Sequence, residues 1–279
     1  MIGVFDSGVG GLTVLRALVR RLPERGFIYL GDNAHAPYGD RAPDDIYRLT
    51  LASLERLFGL GCRLVVVACN TAAAIGLRRL QQTWLPYEHP DRRVIGVLVP
   101  MVEAVTGVPW MAEIEAGRHR GEPRTVAVFA TRHTVETGAF VHEIRKRADE
   151  ISVVQQACPS LVRLIEQAAP IDELRPAVRR YTAELMRKLD GTRPGAAILG
   201  CTHYPLVQPL FAEALPAGIE VLSQPEITAR SLAAYLTRHP DLDAPEPAPA
   251  RFYTTGPAGH VAGLARRFYG RTLEFRPLP

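Results

Sequence analysis

Short apolar runs rich in β-branched residues alternate along this chain with segments whose apolar positions recur every three to four residues. The first kind predicts strands and the second predicts helices. Strands are expected at Ile2 to Phe5, Phe27 to Leu30, Leu64 to Ala68 and Val94 to Val97. Helices are expected at Leu12 to Leu22, Asp44 to Leu60 and Thr71 to Gln82. The run Leu64 to Ala68 shows no polar alternation, as in a strand covered on both faces. The rhythm then restarts, with strands at Val126 to Phe129, Ile151 to Gln155 and Ala196 to Leu199. Helices are expected at Val135 to Asp149, Pro159 to Ala168 and Ile171 to Leu189, and another after Pro205. The Pro- and Ala-rich stretch Leu242 to Arg251 reads as a surface linker before a last strand and helix. This is the βαβ rhythm of parallel α/β sheets.

The restart looks like a degenerate internal repeat. Val4-Phe5-Asp6-Ser7 resembles Val128-Phe129-Ala130-Thr131, and Ala68-Cys69-Asn70-Thr71 resembles Gly200-Cys201-Thr202-His203. The spacings are similar: 62 residues separate Ser7 from Cys69, and 70 separate Thr131 from Cys201. The expected fold is therefore two pseudo-symmetric parallel-sheet α/β domains.

Composition narrows the chemistry. The 279 residues are enough for one large domain or two ordinary ones, and 47% hydrophobic with 22% charged is usual for a globular chain. The net charge is +4, yet the arginines are scattered among glutamates and no basic run is interleaved with aromatics. Nucleic-acid binding is not expected as a primary function. Only Lys146 and Lys188 are lysines, and both sit in arginine-flanked segments that read as solvated helix faces. A pyridoxal phosphate enzyme needs a Schiff-base lysine, so that cofactor is not expected. Four cysteines without a C-x-x-C pair make neither a disulfide framework nor a structural zinc site. No membrane span and no signal peptide are expected, and a cytoplasmic protein with reduced thiols follows.

In parallel sheets, ligands bind beyond the carboxyl ends of the strands. Asp6 to Gly11, Asp32 to Gly39, Cys69-Asn70-Thr71 and Cys201-Thr202-His203 fall at such places. Two of these segments hold a cysteine at a strand end near an expected helix start, where N–H groups favour a thiolate or an anion. Cys62 and Cys158 have quieter contexts and read as buried packing. Gly8-Val9-Gly10-Gly11 fits neither a dinucleotide fingerprint nor a Walker A loop. It reads as a turn opening the next helix, or as a backbone nest for a small carboxylate. Two thiols from two related halves, facing one cleft, suit inversion of a stereocentre, with a base on one face and an acid on the other. The hydroxyls of Ser7, Thr71, Thr131 and Thr202 suit the carboxylate. A two-lobed carboxylate-binding protein and a thiol hydrolase using one cysteine with His203 are the competing readings.

Four segments in order, Phe5-Asp6-Ser7-Gly8-Val9-Gly10-Gly11-Leu12, Pro37-Tyr38-Gly39, Cys69-Asn70-Thr71-Ala72 and Leu199-Gly200-Cys201-Thr202-His203-Tyr204-Pro205-Leu206, resemble the glutamate racemase family. The resemblance runs from Ile2 to about Tyr269. It implies a cofactor-independent isomerase making D-glutamate for peptidoglycan, with the site in the cleft between the domains. Cys69 and Cys201 would be the acid/base thiols, Cys69 acting on D-glutamate and Cys201 on L-glutamate. Asp6 would assist Cys69, and His203 and Glu166 would serve Cys201, with Asp32 a further candidate. Substrate contacts would come from Asp6, Ser7, Tyr38, Gly39, Asn70, Thr71, Thr131, Thr134, Thr202 and His203. Asp6 and Asp32 would equally suit caps, Tyr38 packing, His203 a structural histidine and Glu166 a solvated charge. The same superfamily includes aspartate and hydantoin racemases, but the Gly-Cys-Thr-His-Tyr-Pro form favours glutamate.

The chain departs from the family pattern at His35-Ala36, His133, Phe140 and Ser223-Gln224-Pro225, changes that would alter the cleft rim or the dimer contacts. The resemblance also implies a first domain of 1–97 with 207–279, a second of 98–206, and a homodimer. The chain starts at its first strand, so activation by a cell-wall precursor is not expected.

Overall fold

The structure, a computed structural model, describes residues 1–109, 124–242 and 247–278. Its strands are β1 (Ile2–Asp6), β2 (Phe27–Gly31), β3 (Leu64–Val67), β4 (Arg93–Gly96), β5 (Arg124–Ala130), β6 (Ile151–Ala157), β7 (Ala196–Gly200), β8 (Glu220–Ser223), β9 (Arg251–Thr254) and β10 (Phe275–Pro277). The chain forms two compact units, Met1–Val97 with Pro225–Pro279, and Leu98–Gln224. The first holds a six-stranded sheet in the order β10-β9-β2-β1-β3-β4, and the second a four-stranded sheet in the order β6-β5-β7-β8. Every strand pair is parallel.

With β10 and β9 set aside, both sheets have one strand order: second, first, third, fourth. The internal repeat thus extends from two short motifs to a shared topology. β1 corresponds to β5, β2 to β6, β3 to β7 and β4 to β8. Ser7 and Thr131 follow the central strands, and Cys69 and Cys201 follow the third. β1 and β3 are buried at every position, as expected for central strands with helices on both faces. Asp6 stands opposite Gly31 in register, and its counterpart Ala130 stands opposite Ala157 and Gly200.

Glycine shapes the first strand-end loop. A Cβ on Gly11 would lie 2.5 Å from the Asp6 Cβ and 2.9 Å from its Cγ, and one on Gly31 would lie 2.5 Å from the Gly8 carbonyl oxygen. The Tyr29 hydroxyl donates to that same oxygen at 2.8 Å. The loop therefore packs directly on β2 and on the Asp6 carboxylate. Gly11→Ala forces apart a buried strand end and is expected to destabilise the protein by about 1–3 kcal/mol. Urea unfolding will show this as a lower midpoint with an unchanged slope.

Several elements differ from the sequence expectation. The helix expected from Val135 to Asp149 is two, Arg132–Glu136 and Ala139–Arg145, because Gly138 adopts a left-handed conformation at φ +62. The helix expected from Thr71 runs over 70–83 with a π turn at Ala73–Leu77. The helix after Pro205 begins as a 3-10 turn, Tyr204–Val207, and continues at Gln208–Ala214. Helix Leu98–Thr106 and strands β8 and β10 are additional. The return to the first unit falls at Pro225 instead of Val207, because β8 pairs with β7 and helix Gln208–Ala214 packs beside it. The Ser223-Gln224-Pro225 departure lies at this crossing. Within the expected linker, residues 243–246 lie outside the described residues.

Candidate active site

In the first unit the site is built on the ends of β1, β2 and β3. Cys69 is the N-cap of the helical run 70–83, and its sulfur accepts from the Ala72 N–H at 3.5 Å. The thiol donates to Ser7 Oγ at 3.3 Å. Backbone donors and the helix dipole therefore favour negative charge on this sulfur. Asn70 and Thr71 are buried beside it, and Cys69 is 5% exposed. Asp6 is fully buried, and its Oδ2 accepts the Gly8 N–H at 3.1 Å.

The end of β2 carries a second carboxylate. Asp32, also buried, accepts the Tyr38 hydroxyl at 2.7 Å on Oδ2 and the Thr255 hydroxyl at 2.7 Å on Oδ1. Tyr38 packs its ring against Phe5, with centroids 6.3 Å apart. Burial raises the Tyr38 phenol far above its ordinary range, and the negative groups Asp32, Cys69 and Asp6 add to this. Tyr38 is thus a neutral hydroxyl set among the polar groups of the site. Gly39 follows it in the 3-10 turn Tyr38–Asp40.

In the second unit the arrangement is different. Cys201 ends β7 and is followed by a turn closed by Tyr204 N–H on the Cys201 carbonyl at 3.1 Å. Its sulfur lies 3.8 Å from His203 Nδ1, and His203 Nε2 donates to Glu166 Oε1 at 2.8 Å. Burial opposes a charged His203, but the hydrogen bonds to Cys201 and Glu166 outweigh it and raise its pKa to about 10. Both partners therefore favour the protonated imidazolium, which lies between a carboxylate and a sulfur. Thr131 caps helix Arg132–Glu136 through the Thr134 N–H, and the two threonine hydroxyls lie 3.0 Å apart. Thr202 and Thr134 are buried.

The two cysteines thus occupy equivalent places but have unlike surroundings. At the β1 position one unit has Asp6 and the other Ala130. Two residues after the cysteine one unit has Thr71 and the other His203. Among the sequence-derived residues, Cys69, Ser7, Asp6, Asn70, Thr71, Tyr38 and Gly39 gather in the first unit. Cys201, Thr202, His203, Glu166, Thr131 and Thr134 gather in the second.

The remaining cysteines are buried, and burial lifts the Cys62 thiol to about 11 and Cys158 further. Both fit the packing role expected of them. His133 pairs with Glu136 at 3.0 Å, and Phe140 packs where a Cβ on Gly200 would meet its ring at 3.0 Å. Sequence reasoning missed His35 and Thr255 as partners of Asp32. Thr255 is 223 residues away, and no local pattern connects the two.

Among the described residues, no group of three or more His, Cys, Asp or Glu is arranged to hold a metal ion, and no helix is long and apolar enough to cross a membrane.

Residues 2–232 match the family model described as Asp/Glu/Hydantoin racemase. A glutamate racemase of Phenylobacterium zucineum is 47% identical over 99% of both chains. One from a Caulobacter species is 48% identical over 98% of both. A crystal structure of a glutamate racemase isoform from Bacillus anthracis superposes with TM-score 0.85 at 29% identity, over 100% of this chain and 97% of that one. The Francisella tularensis glutamate racemase, solved in complex with D-glutamate, gives TM-score 0.80 at 26% identity, over 100% and 95%. With a family model spanning most of its length and full-length relatives near half identity, the chain belongs to the glutamate racemases of the Asp/Glu/hydantoin racemase family, which are isomerases.

Proposed function

We propose that this isomerase interconverts L- and D-glutamate by proton transfer between two thiols, Cys69 and Cys201, without a cofactor. The observation that carries this reading is the pair of cysteines at equivalent strand ends of two sheets with one strand order, each with its own polar support. A thiolate on one face of the α-carbon takes its proton, leaving a carbanion. A thiol on the other face returns a proton, and the configuration inverts. The first sulfur ends as thiol and the second as thiolate, so the reverse direction starts from the state the forward direction leaves. Cys69 takes the proton of D-glutamate and Cys201 that of L-glutamate.

Supporting roles follow the surroundings. Asp6 and the helix start serve Cys69, while His203, backed by Glu166, serves Cys201. Ser7, Tyr38, Gly39, Asn70, Thr71, Thr131, Thr134 and Thr202 supply donors for the substrate's carboxylates and partners for its ammonium. The reading extends, on the family resemblance, to a cytoplasmic homodimer that supplies D-glutamate for peptidoglycan.

Heavy water tests it. L-Glutamate incubated with the enzyme is expected to yield D-glutamate bearing deuterium at the α-carbon, while L-aspartate offered in parallel exchanges far more slowly. A carboxylate-binding protein or a one-cysteine hydrolase would incorporate none, and that result would overturn the proposal.

A further inference from the structure

Asp32 is buried and accepts three side-chain donors. Two are the hydroxyls of Tyr38 and Thr255, described above. The third is His35, whose Nδ1 lies 2.8 Å from Oδ1 and 3.1 Å from Oδ2. Opposite an ionised carboxylate, Nδ1 must carry the proton. His35 therefore straddles both oxygens and sets the plane of the carboxyl group, which fixes where Oδ2 meets the Tyr38 hydroxyl.

His35 is itself held in place. Its backbone N–H donates to the Asp32 carbonyl at 3.1 Å, and its own carbonyl accepts from Arg41 Nε, just past the Tyr38–Asp40 turn. The side chain is 41% exposed, so it contributes little to the core.

We propose that His35 is a positioning residue for Tyr38: through Asp32 it orients the Tyr38 hydroxyl and the Tyr38–Gly39 turn for substrate binding. It rests on the reading of Tyr38 as a substrate contact. The hydroxyl already has its acceptor in Asp32, so its lone pairs remain to accept from the substrate's ammonium. Loss of the His35 bridge leaves the carboxyl plane to two hydroxyls and lets Oδ2 drift. The thiols are untouched, so the loss appears in binding and not in proton transfer.

His35→Ala is expected to raise KM for both enantiomers about fivefold while kcat stays within about twofold. The Asn amide can present a nitrogen donor where Nδ1 sits, so His35→Asn is expected to restore KM. Tyr38→Phe is expected to raise KM by itself, and adding His35→Ala to it is expected to change nothing further. Unchanged KM in His35→Ala, no rescue by Asn, or additive effects in the double variant would overturn the proposal, whether or not the heavy-water exchange is seen. If Tyr38→Phe leaves KM unchanged, Tyr38 is not a substrate contact, and that reading and this one fall together.

Discussion

Cys69→Ala and Cys201→Ala are each expected to lower kcat for racemisation by about 10³-fold, within the range measured for loss of a positioned acid or base. The double variant is expected to be no slower than either single one. Two groups that act in one proton transfer fail together, so their effects do not add. Both cysteines are buried, and each substitution removes a single sulfur, so far-ultraviolet circular dichroism should match the parent. Circular dichroism of glutamate itself, followed from each pure enantiomer, reads the activity. Full racemisation by either single variant would remove the two-thiol mechanism, because a one-base enzyme needs only one of these sulfurs.

Glu166→Gln is the second large effect. The hydrogen bond from His203 to an ionised Glu166 helps hold the imidazolium against its burial. Without that charge the pKa of His203 should fall from about 10, with the Cys201 sulfur left as the group that still holds it up. Nitrogen NMR of the imidazole measures this directly. Loss of one charged hydrogen bond at the proton-transfer step corresponds to about a 10- to 100-fold lower kcat. The effect has a thermodynamic constraint. L- and D-glutamate have equal free energies, so kcat/KM must stay equal in the two directions in every variant. An unequal effect of Glu166→Gln can appear only in how each ratio divides between kcat and KM, and unequal kcat/KM values would expose a faulty assay.

The same pair fixes a pH dependence of stability. His203 has a higher pKa folded than unfolded, so the folded state holds the extra proton. Its contribution is fully present below about pH 6.5 and is lost as the pH rises through about 10. Glu166→Gln should flatten the decline of unfolding free energy across that alkaline window.

Much of this was legible in the sequence, for physical reasons. Strands β1, β2, β3 and β7 are buried at every position, so they appear as nearly unbroken apolar runs. The strand-end cysteines are legible because a parallel sheet places its functional groups where those runs stop. The equivalence of the halves showed in two short motifs. What was not legible depends on pairing. Nothing in Glu220 to Ser223 says that it joins β7, so the second unit appeared to end before it. The break at Gly138 reflects one backbone conformation inside an otherwise helical pattern. The Asp32 cluster joins β2 to Thr255, after β9, and only the pairing of β9 with β2 brings them together.

The sheet order also sets a timetable for synthesis on the ribosome. Unit Leu98–Gln224 is continuous, so its whole sheet is available as soon as its last residue leaves the tunnel. The other unit is assembled from both ends of the chain. Its β1 to β4 can pair early, but the outer edge of β2 stays open until β9 arrives more than 200 residues later. Through most of translation that edge is an unpaired template of backbone donors and acceptors. Thr255 reaches Asp32 only when that edge closes. The nascent chain therefore carries the Cys201 half of the proposed chemistry in finished form while the Asp32 cluster is still waiting for the C-terminus.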